Sequence, residues 1–463
     1  MTLIKSISGI RGTVGGTCGD SLSPLDIVKF VSAYASMLAK GKQSGCRLKV
    51  VVGRDARLSG PMVEEIVCGT LRACGIDVVN ASLASTPTVE MAVVFEKADG
   101  GIILTASHNP RQWNALKLLN SRGEFLNAAE GAELVEIAGR EDFVYCDVDS
   151  VGTYVEKDFT DAHIQAVLAH PLVDTEAIRA RGFKIVVDAV NSVGGVVMPR
   201  LLEALGVECV KINCEPTGQF AHNPEPLPSH LTDLCSMVAS EKADLGIAVD
   251  PDVDRLALVC EDGTFFGEEY TLVSVADYFL SRVQGPTVSN LSSSRALRDI
   301  TEAHGCTYTA SAVGEVNVTE EMKRTGAVIG GEGNGGVIVP DLHYGRDALI
   351  GTALFLSLLA RSGKKVTEVR AALPQYCISK NRIELSDKSL IDRILNGLKQ
   401  LYASERITDI DGVRIDFDAR KMWVHLRKSN TEPIIRVYSE AVDAESADAL
   451  AKEIIAAAMR IIE

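Results

Sequence analysis

The sequence has no excess of positive charge. Its 463 residues include 47 Lys and Arg against 62 Asp and Glu, which gives a formal net charge of −15 at pH 7. Proteins that bind nucleic acids or anionic membranes normally present a basic face. We therefore expect neither a nucleic acid nor a membrane among the partners of this protein.

Paired cysteines of the metal-binding or redox type are also missing. None of the 11 cysteines stands in a CxxC pair, and their spacing shows no metal pattern. Most of them lie in apolar runs, as Cys68 and Cys260 do, and this predicts small buried thiols. Free thiols fit a reducing compartment, so we expect a cytoplasmic protein.

Long apolar runs are absent as well. No run is long enough to span a bilayer, and Gly9 and Gly12 come too early for a signal peptide. There is no clear letter-by-letter repeat. With 463 residues, 46% of them hydrophobic, the chain is predicted to be globular and too long for one core, which suggests about three or four domains.

Strand-length apolar runs alternate with helical patterns over most of the chain. Such alternation predicts parallel strands joined by crossover helices, with functional sites at the carboxyl ends of the strands. The predicted strands are 48–52, 78–81, 101–104, 183–188, 209–212, 288–291 and 327–329, and the predicted helices are 24–38, 61–74, 87–97, 198–205, 231–242 and 295–304.

The pattern changes near residue 374. Helices are predicted at 388–402 and 444–461, around strands at 413–417, 422–426 and 434–438. The strands follow one another too closely for crossover helices, so they predict an antiparallel sheet and an α+β domain.

Two polar stretches follow apolar runs of strand length. Ser107 lies in TASHNP (105–110), where its hydroxyl could be a nucleophile or carry a phosphate, although Ser-His before Asn-Pro is also typical of a plain turn. In DPDVDR (250–255), Asp250, Asp252 and Asp254 alternate with other residues. Three such carboxylates can converge on one hard cation such as Mg²⁺, and a solvated acidic turn is the alternative.

With GIRG at 9–12 and RKSNTEP at 427–433, these stretches resemble the α-D-phosphohexomutase superfamily in order and spacing, over essentially the whole chain. The resemblance implies three similar mixed α/β domains and a smaller C-terminal α+β domain around a central cleft. The expected domains are 1–156 with the phosphoserine loop, 157–257 with the metal loop, 258–373 with the sugar-binding loop and 374–463 with the phosphate-binding loop.

The resemblance also implies a mechanism. Ser107, as a phosphoserine, would give its phosphoryl group to a hexose 1- or 6-phosphate and form a hexose bisphosphate, with Mg²⁺ held by the serine phosphate and by Asp250, Asp252 and Asp254. The other implied site residues are Arg11, His108, Lys117 and Arg255 for catalysis, and Gly314, Glu332, Asn334, Arg427, Ser429, Asn430, Thr431 and Arg436 for substrate binding.

The sequence departs from the family pattern in three loops. NALK (114–117) replaces the usual Asn-Gly-Ile-Lys and keeps Lys117, and the metal loop carries Pro251 and Val253 between intact aspartates. In the sugar-binding loop, many relatives have serine and histidine where this chain has Asn334 and Gly336. GRDAR (53–57) resembles a family GRDxR motif, in which we expect Arg54 and Asp55 to form a structural ion pair.

The implied activity is that of an isomerase, an intramolecular phosphotransferase acting on a small phosphosugar. The opening residues and overall layout look like the bacterial phosphoglucosamine mutase branch, with phosphomannomutase and phosphoglucomutase as the alternative. A metal-dependent serine phosphohydrolase or a non-catalytic phosphosugar-binding protein would use some of the same residues. A homo-oligomer is compatible with the sequence.

Overall fold

The computed structural model describes residues 2–6, 9–40, 47–385, 387, 389–428 and 434–462. The chain forms two compact units. The first unit is Met1–Thr271 with Asn334–Val369, and the second unit is Leu272–Gly333 with Arg370–Glu463. In the part of the chain that the structure describes, no helix has both the length and the apolar character needed to cross a membrane.

The N-terminal part of the first unit is a seven-stranded mixed sheet with helices on both faces. Its elements are β1 (Leu3–Ser6), β2 (Gly9–Thr13), α1 (Pro24–Ala39), β3 (Lys49–Arg54), α2 (Gly60–Ala73), β4 (Asp77–Leu83), α3 (Thr86–Phe95), β5 (Gly100–Leu104), β6 (Trp113–Leu119), α4 (Ala128–Arg140) and β7 (Tyr154–Glu156). The strand order is β1-β2-β6-β5-β3-β4-β7. Val50 and Val51 of β3 belong to different buried clusters, because neighbouring residues of a strand face opposite sides of the sheet.

A second sheet completes this unit. Its elements are α5 (Thr160–Leu168), α6 (Thr175–Arg181), β8 (Lys184–Asp188), α7 (Gly194–Ala204), β9 (Glu208–Ile212), α8 (Thr232–Glu241), β10 (Leu245–Val249) and β11 (Leu256–Cys260). The strand order is β11-β10-β8-β9, with β10 parallel to β8 and antiparallel to β11. The DPDVDR stretch therefore joins two antiparallel strands that are buried along their whole length.

The following segment of the chain contributes to both units. Its elements are α9 (Glu268–Leu280), β12 (Thr287–Asn290), α10 (Ala296–Ala303), β13 (Tyr308–Ser311), α11 (Glu315–Thr325), β14 (Ile329–Glu332), β15 (Gly336–Ile338), α12 (Ala348–Ser362) and α13 (Val366–Ala372). In the second unit, β12 pairs in parallel with β13 and with β14. Strand β15 and helix α12 belong to the first unit.

The C-terminal part of the second unit is an antiparallel sheet with two helices. Its elements are β16 (Cys377–Glu384), α14 (Leu390–Leu401), β17 (Arg406–Thr408), β18 (Val413–Phe417), β19 (Met422–Lys428), β20 (Ile434–Ala441) and α15 (Ala444–Ile462). The order is β16-β20-β19-β18-β17, and each neighbouring pair is antiparallel. The α+β prediction for this part of the chain is confirmed.

The prediction of parallel strands is confirmed for β3, β4 and β5 but is incomplete, since β6 is antiparallel to β5.

The predicted position of one strand is wrong: the sequence predicted a strand at 327–329, and the observed strand β14 is Ile329–Glu332. A Cβ on Gly330 would lie 2.6 Å from Met322 Sδ and 2.7 Å from the Val288 carbonyl oxygen. Glycine is therefore needed within this strand for close packing, rather than to form a loop.

Candidate active site

Ser107 lies three residues beyond the end of β5, and its backbone is in the left-handed region, with φ of 48°. A non-glycine residue rarely adopts this conformation and needs surrounding contacts to hold it. Its amide donates to Thr105 Oγ1 at 2.9 Å, and its carbonyl accepts from the guanidinium of Arg57. The loop thus presents the Ser107 hydroxyl in a conformation that is imposed by its neighbours.

A fully buried ion pair supports this loop. Arg57 Nε donates to Asp55 Oδ2 at 2.8 Å, and neither side chain is exposed. The same arginine donates through Nη1 to the carbonyls of Pro110 and Trp113, at 3.1 and 3.0 Å. The expected pairing of Arg54 with Asp55 is therefore wrong: Arg54 pairs with Glu64 on α2, and the structural partner of Asp55 is Arg57.

The three aspartates after β10 converge as the sequence predicted. Asp250, Asp252 and Asp254 are fully buried, and one carboxylate oxygen from each lies within 4.8 Å of the others. Val253 between them is also fully buried and has φ of 64°. Packing of this valine into the interior turns the flanking carboxylates to the same side of the loop.

Positive charge from other elements partly neutralises these carboxylates. Lys117 Nζ on β6 lies 2.7 Å from Asp252 Oδ2 and 3.5 Å from Asp254 Oδ2. Arg346 Nη2 donates to Asp254 Oδ2 at 2.7 Å. Burial by itself would lower the pKa of Lys117, but Asp252 and Asp254 hold it above its ordinary value. Lys117 is therefore an ammonium ion in this site.

Two carboxylate oxygens of the triad have no hydrogen-bond partner among the described residues, and such oxygens are suited to binding a cation. Among the described residues, neither Asp252 Oδ1 nor Asp254 Oδ1 has a hydrogen-bond partner, although both are buried. Burying an unpaired carboxylate oxygen is costly unless a cation or a donor meets it. Oxygen-only ligands that leave room for phosphate oxygens suit Mg²⁺. The residues present therefore fit this metal.

Ser107 belongs to the same cluster, because its Oγ donates to Asp250 Oδ2 at 2.7 Å. Burial and the neighbouring charges of Asp254 and Asp252 raise the pKa of Asp250 well above its ordinary value. Like charges this close disfavour ionisation, and a divalent cation would remove that penalty. The serine hydroxyl and the aspartate triad thus form one electrostatic unit.

The other basic residues predicted from the sequence surround Ser107. His108 Nδ1 lies 3.3 Å from Ser107 Oγ, and burial, followed by the charge of Arg255, lowers its pKa to about 2. The His108 ring is therefore neutral. Arg11 Nη1 donates to Asn109 Oδ1 at 3.0 Å in the same loop, and the amide of Arg255 donates to Asp250 Oδ1 at 3.2 Å.

Two side chains that the sequence did not single out also contact the triad. Thr86, at the start of α3, donates from Oγ1 to Asp252 Oδ2 at 2.6 Å and from its amide to the Asp252 carbonyl at 2.9 Å. Arg346 is the other, through Asp254. The Thr86-Pro87 pair, which begins a helix after a strand, could have marked Thr86 as a site residue. Arg346 lies in a polar turn that carries no comparable sequence signal.

In the second unit, the structure brings together Gly314 and Glu332. Glu332 Oε1 accepts from the Gly314 amide at 3.2 Å and from Asn290 Nδ2 at 2.8 Å. Gly314 has φ of 115°, a conformation that favours glycine. Glu332 is buried at the end of β14, whereas the sequence placed it within a loop. Asn334 belongs to the first unit, where its Oδ1 accepts from the Gly336 amide at 3.2 Å.

The phosphate-binding residues predicted near the C-terminus are only partly described. Arg427 on β19 and Arg436 on β20 are directly opposed across the two strands, so their side chains leave the same face of the sheet. Arg382 on β16 is opposed to Arg436 in the same way and extends this row. Arg427 Nε lies 2.8 Å from Asp411 Oδ2. Ser429, Asn430 and Thr431 lie outside the described residues.

A buried carboxylate triad beside a serine hydroxyl, with cationic side chains around both, has the parts that metal-assisted phosphoryl transfer requires. Sequence models for the phosphoglucomutase/phosphomannomutase family match the chain in order: α/β/α domain I at residues 3–145, domain II at 161–263, domain III at 267–376 and the C-terminal domain at 382–457. The chain belongs to this family, within the α-D-phosphohexomutase superfamily.

Similar proteins cover almost the whole chain. A phosphoglucomutase/phosphomannomutase of Thermococcus kodakarensis is 35% identical over 94% of this chain and 95% of its own length. A probable phosphoglucosamine mutase of Methanopyrus kandleri is 32% identical over 98% of both chains. A solved structure of a phosphoglucomutase/phosphomannomutase family protein from Burkholderia thailandensis covers 99% of this chain and 98% of its own, with 27% identity and a TM-score of 0.83.

Proposed function

We propose that this phosphohexomutase interconverts glucosamine 6-phosphate and glucosamine 1-phosphate through a phosphoserine at Ser107 and a hexose bisphosphate. The mutase class follows from family membership, and the sugar is the proposed part. The name of the Methanopyrus kandleri relative supports an amino sugar. The Thermococcus kodakarensis relative supports the alternative, glucose 1-phosphate and mannose 1-phosphate.

The observation that carries the mechanism is the 2.7 Å hydrogen bond from Ser107 Oγ to Asp250 in the buried triad. We assign the cation to Asp250, Asp252, Asp254 and the phosphate of Ser107. When bound, Mg²⁺ would neutralise negative charge on the phosphoryl group during its transfer.

The transfer exchanges one phosphorus–oxygen bond for another. The bond from phosphorus to Ser107 Oγ breaks as a bond to a sugar hydroxyl oxygen forms, and the proton that the hydroxyl loses is balanced by the proton that Ser107 Oγ gains. In the second transfer, the bond from the other phosphoryl group to its sugar oxygen breaks, Ser107 Oγ receives that group and gives up its proton, and the sugar oxygen gains one. Neutral His108, with Nδ1 3.3 Å from Ser107 Oγ, is placed to hydrogen-bond with that oxygen during the transfer. Lys117 remains charged because of its ion pair with Asp252, so we assign it an electrostatic role.

We assign sugar and phosphate binding to the residues of the second unit and to Asn334. The Gly314 amide and Asn290 hold one carboxylate oxygen of Glu332, which orients this side chain for ring hydroxyls. Arg427 and Arg436 offer guanidinium groups on one face of the sheet, and guanidinium groups bind phosphate well. Ser429, Asn430 and Thr431 belong to this proposal by family resemblance.

The proposal is tested by comparing kcat/KM for glucosamine 6-phosphate, mannose 1-phosphate and glucose 1-phosphate with the same Mg²⁺ and bisphosphate primer. A preference for the amino sugar is expected. A preference of roughly tenfold or more for either neutral sugar, about 1.4 kcal/mol of transition-state binding, would overturn the amino-sugar assignment. Phosphate release without isomerisation would indicate a hydrolase, and binding without turnover would indicate a binding protein.

The cellular location is part of the same proposal. The ten described cysteines are free thiols, as expected of a protein kept in a reducing cytoplasm.

A further inference from the structure

A second group of metal-ligand side chains lies in the first unit, away from the aspartate triad. It consists of His163 on α5, His343 before α12, and Asp347 at the N-cap of α12, and we call it the histidine cluster. The ε nitrogens of both histidines meet one carboxylate oxygen: Asp347 Oδ2 lies 2.9 Å from His163 Nε2 and 3.3 Å from His343 Nε2. All three side chains are buried or nearly so, with exposures of 0%, 7% and 0%.

These separations suit a shared ion. Ligand atoms about 2.0–2.1 Å from a tetrahedral zinc ion lie roughly 3.3 Å from one another. The three candidate ligand atoms fall within 4.8 Å of each other. The two histidine rings are almost perpendicular, at 86° with centroids 6.2 Å apart. The rings therefore approach the carboxylate from different directions and do not stack side by side.

Each candidate ligand also has a polar neighbour at its second polar atom. His163 Nδ1 lies 3.0 Å from Thr88 Oγ1, His343 Nδ1 lies 3.2 Å from Glu90 Oε2, and Asp347 Oδ1 accepts from the Leu349 amide at 2.7 Å. Metal-bound histidines usually donate their other ring nitrogen to a carboxylate or another acceptor, which sets the tautomer and the ring orientation. The His163–Thr88 contact is of this kind, and Glu90 places a carboxylate oxygen 3.2 Å from His343 Nδ1.

The charge of the cluster favours a divalent cation. Asp347 is a fully buried carboxylate, and the ε nitrogens of His163 and His343 both face it. A divalent cation held by these three side chains would compensate the charge of that carboxylate. Buried charges need such compensation.

We propose that His163, His343 and Asp347 form a structural metal site that takes one divalent transition-metal ion of the zinc type, separate from the Mg²⁺ site at the aspartate triad. Two imidazoles with one carboxylate are typical ligands for Zn²⁺ and its neighbours, whereas Mg²⁺ prefers oxygen ligands alone. The ion would join α5 to the N-terminus of α12, beside α3, which carries Thr88 and Glu90.

This position connects the histidine cluster to the active site through two elements. Helix α3 also carries Thr86, which donates to Asp252, and Asp347 directly follows Arg346, which donates to Asp254. A metal in the histidine cluster would therefore fix the two elements that position these contacts. It would act on the geometry of the triad without touching the substrate.

The test uses the full-length protein, stripped with a chelator and dialysed into excess Mg²⁺. Titration with Co²⁺ should give the visible d–d absorption of a low-coordinate nitrogen and oxygen site, and Zn²⁺ should displace it at about one ion per chain. Zn²⁺ should also raise the melting temperature in the presence of Mg²⁺, because it binds the folded state. These two readouts require no variant and no activity measurement.

Variants then locate the ion. His163→Gln and His343→Gln should each abolish the Co²⁺ absorption, while Asp252→Asn in the triad should retain it. His304→Gln is a matched control, because His304 also pairs with an aspartate, 2.8 Å from Asp277, but among the described residues it belongs to no group of three candidate ligands. Three results would overturn the proposal: no stoichiometric Co²⁺ or Zn²⁺ binding by wild type, binding that survives His163→Gln, or binding that Asp252→Asn removes. In the first case the cluster is an imidazolium–carboxylate network.

Discussion

Arg346 and Asp254 form an ion pair in which the guanidinium occupies one carboxylate oxygen and leaves the other without a hydrogen-bond partner in the described part of the chain. The bond to Oδ2 is 2.7 Å long, and the carboxylate is fully buried. Arg346 thus compensates part of the triad's charge and still leaves an oxygen that a cation could bind. Because one oxygen of Asp254 is paired and the other is not, this ion pair predicts how the melting temperature should respond to Mg²⁺.

Arg346→Met should lower the melting temperature in the absence of Mg²⁺ and increase the stabilisation that Mg²⁺ provides. The variant leaves one more uncompensated negative charge in the triad, and the cations that remain near Asp254 are more distant: Lys117 Nζ at 3.5 Å and Arg255 Nε at 4.0 Å. Breaking a buried pair costs about 3–5 kcal/mol. Melting curves of wild type and variant with chelator and with saturating Mg²⁺ measure both effects. Equal Mg²⁺-induced shifts in the two proteins would contradict this role.

Ser107→Ala should remove nearly all turnover and leave the melting temperature close to that of wild type. The hydroxyl contacts Asp250 and His108, whereas the loop is held by backbone contacts to Thr105 and Arg57 that alanine keeps. The measurement is the isomerisation rate with added bisphosphate, together with mass spectrometry of the peptide containing Ser107. Full activity in the variant, with no phosphopeptide from wild type, would rule out the phosphoserine mechanism.

Arg57→Met should destabilise the first unit strongly, by about 3–5 kcal/mol, because it leaves Asp55 charged and buried without its partner. The matched control is Arg140→Met, which removes the exposed pair of Arg140 with Glu136 on α4. Such surface pairs contribute about 0–1 kcal/mol. Thermal unfolding with saturating Mg²⁺ compares the two. Similar losses in both variants would show that the Asp55–Arg57 pair does not hold the serine loop.

The residues to which we assign the chemistry could be located from the sequence because they follow buried strands. Ser107 comes after β5, and Asp250 comes directly after β10, two strands buried along their whole length. Apolar runs of this kind are the strongest local signal for a strand. The strand β16 (Cys377–Glu384) had no such signal, since most of its residues are partly or fully exposed, and it was not predicted.

The contacts that complete the site could not be predicted in the same way. Arg346 and Asp254 are 92 residues apart, and Thr86 and Asp252 are 166 residues apart. Pairing over such distances depends on how the sheets and helices pack, for which a local pattern carries no information. The mistaken Arg54–Asp55 pair has a similar origin: adjacent charges suggest a pair, but Arg54 pairs with Glu64 and Asp55 pairs with Arg57.

Arg427→Ala should raise the KM for the phosphosugar more than it lowers kcat, if its guanidinium binds the phosphate equally well in the ground and transition states. Arg436→Ala should act in the same direction, because the two arginines oppose each other on β19 and β20. Arg393→Ala, an exposed arginine on α14, serves as the control and should leave KM unchanged. An unaltered KM in Arg427→Ala, with both the 1-phosphate and the 6-phosphate, would remove it from the phosphate site.

The pH dependence of the second unit's stability should contain a contribution from Glu440. Its Oε1 accepts from Trp423 Nε1 at 2.6 Å and from the Arg295 amide at 3.0 Å, and burial raises its pKa from 4.5 to about 7. The folded state therefore holds a proton that the unfolded state releases near pH 4.5. This stabilisation is fully present below about pH 4.5 and is lost as the pH rises through about 7.

Over that window the loss amounts to about 3 kcal/mol, at about 1.4 kcal/mol for each unit of pKa difference. Glu440→Gln cannot ionise, and its amide oxygen can still accept from Trp423. We therefore expect the variant to lose less stability than wild type as the pH rises from about 4.5 to about 7, the range between the ordinary and the raised pKa. The measurement is the difference in melting temperature between variant and wild type at several pH values with constant Mg²⁺. A difference that stays constant across this range would show that Glu440 does not titrate there, whereas one that grows in favour of the variant as the pH rises would identify Glu440 as the source.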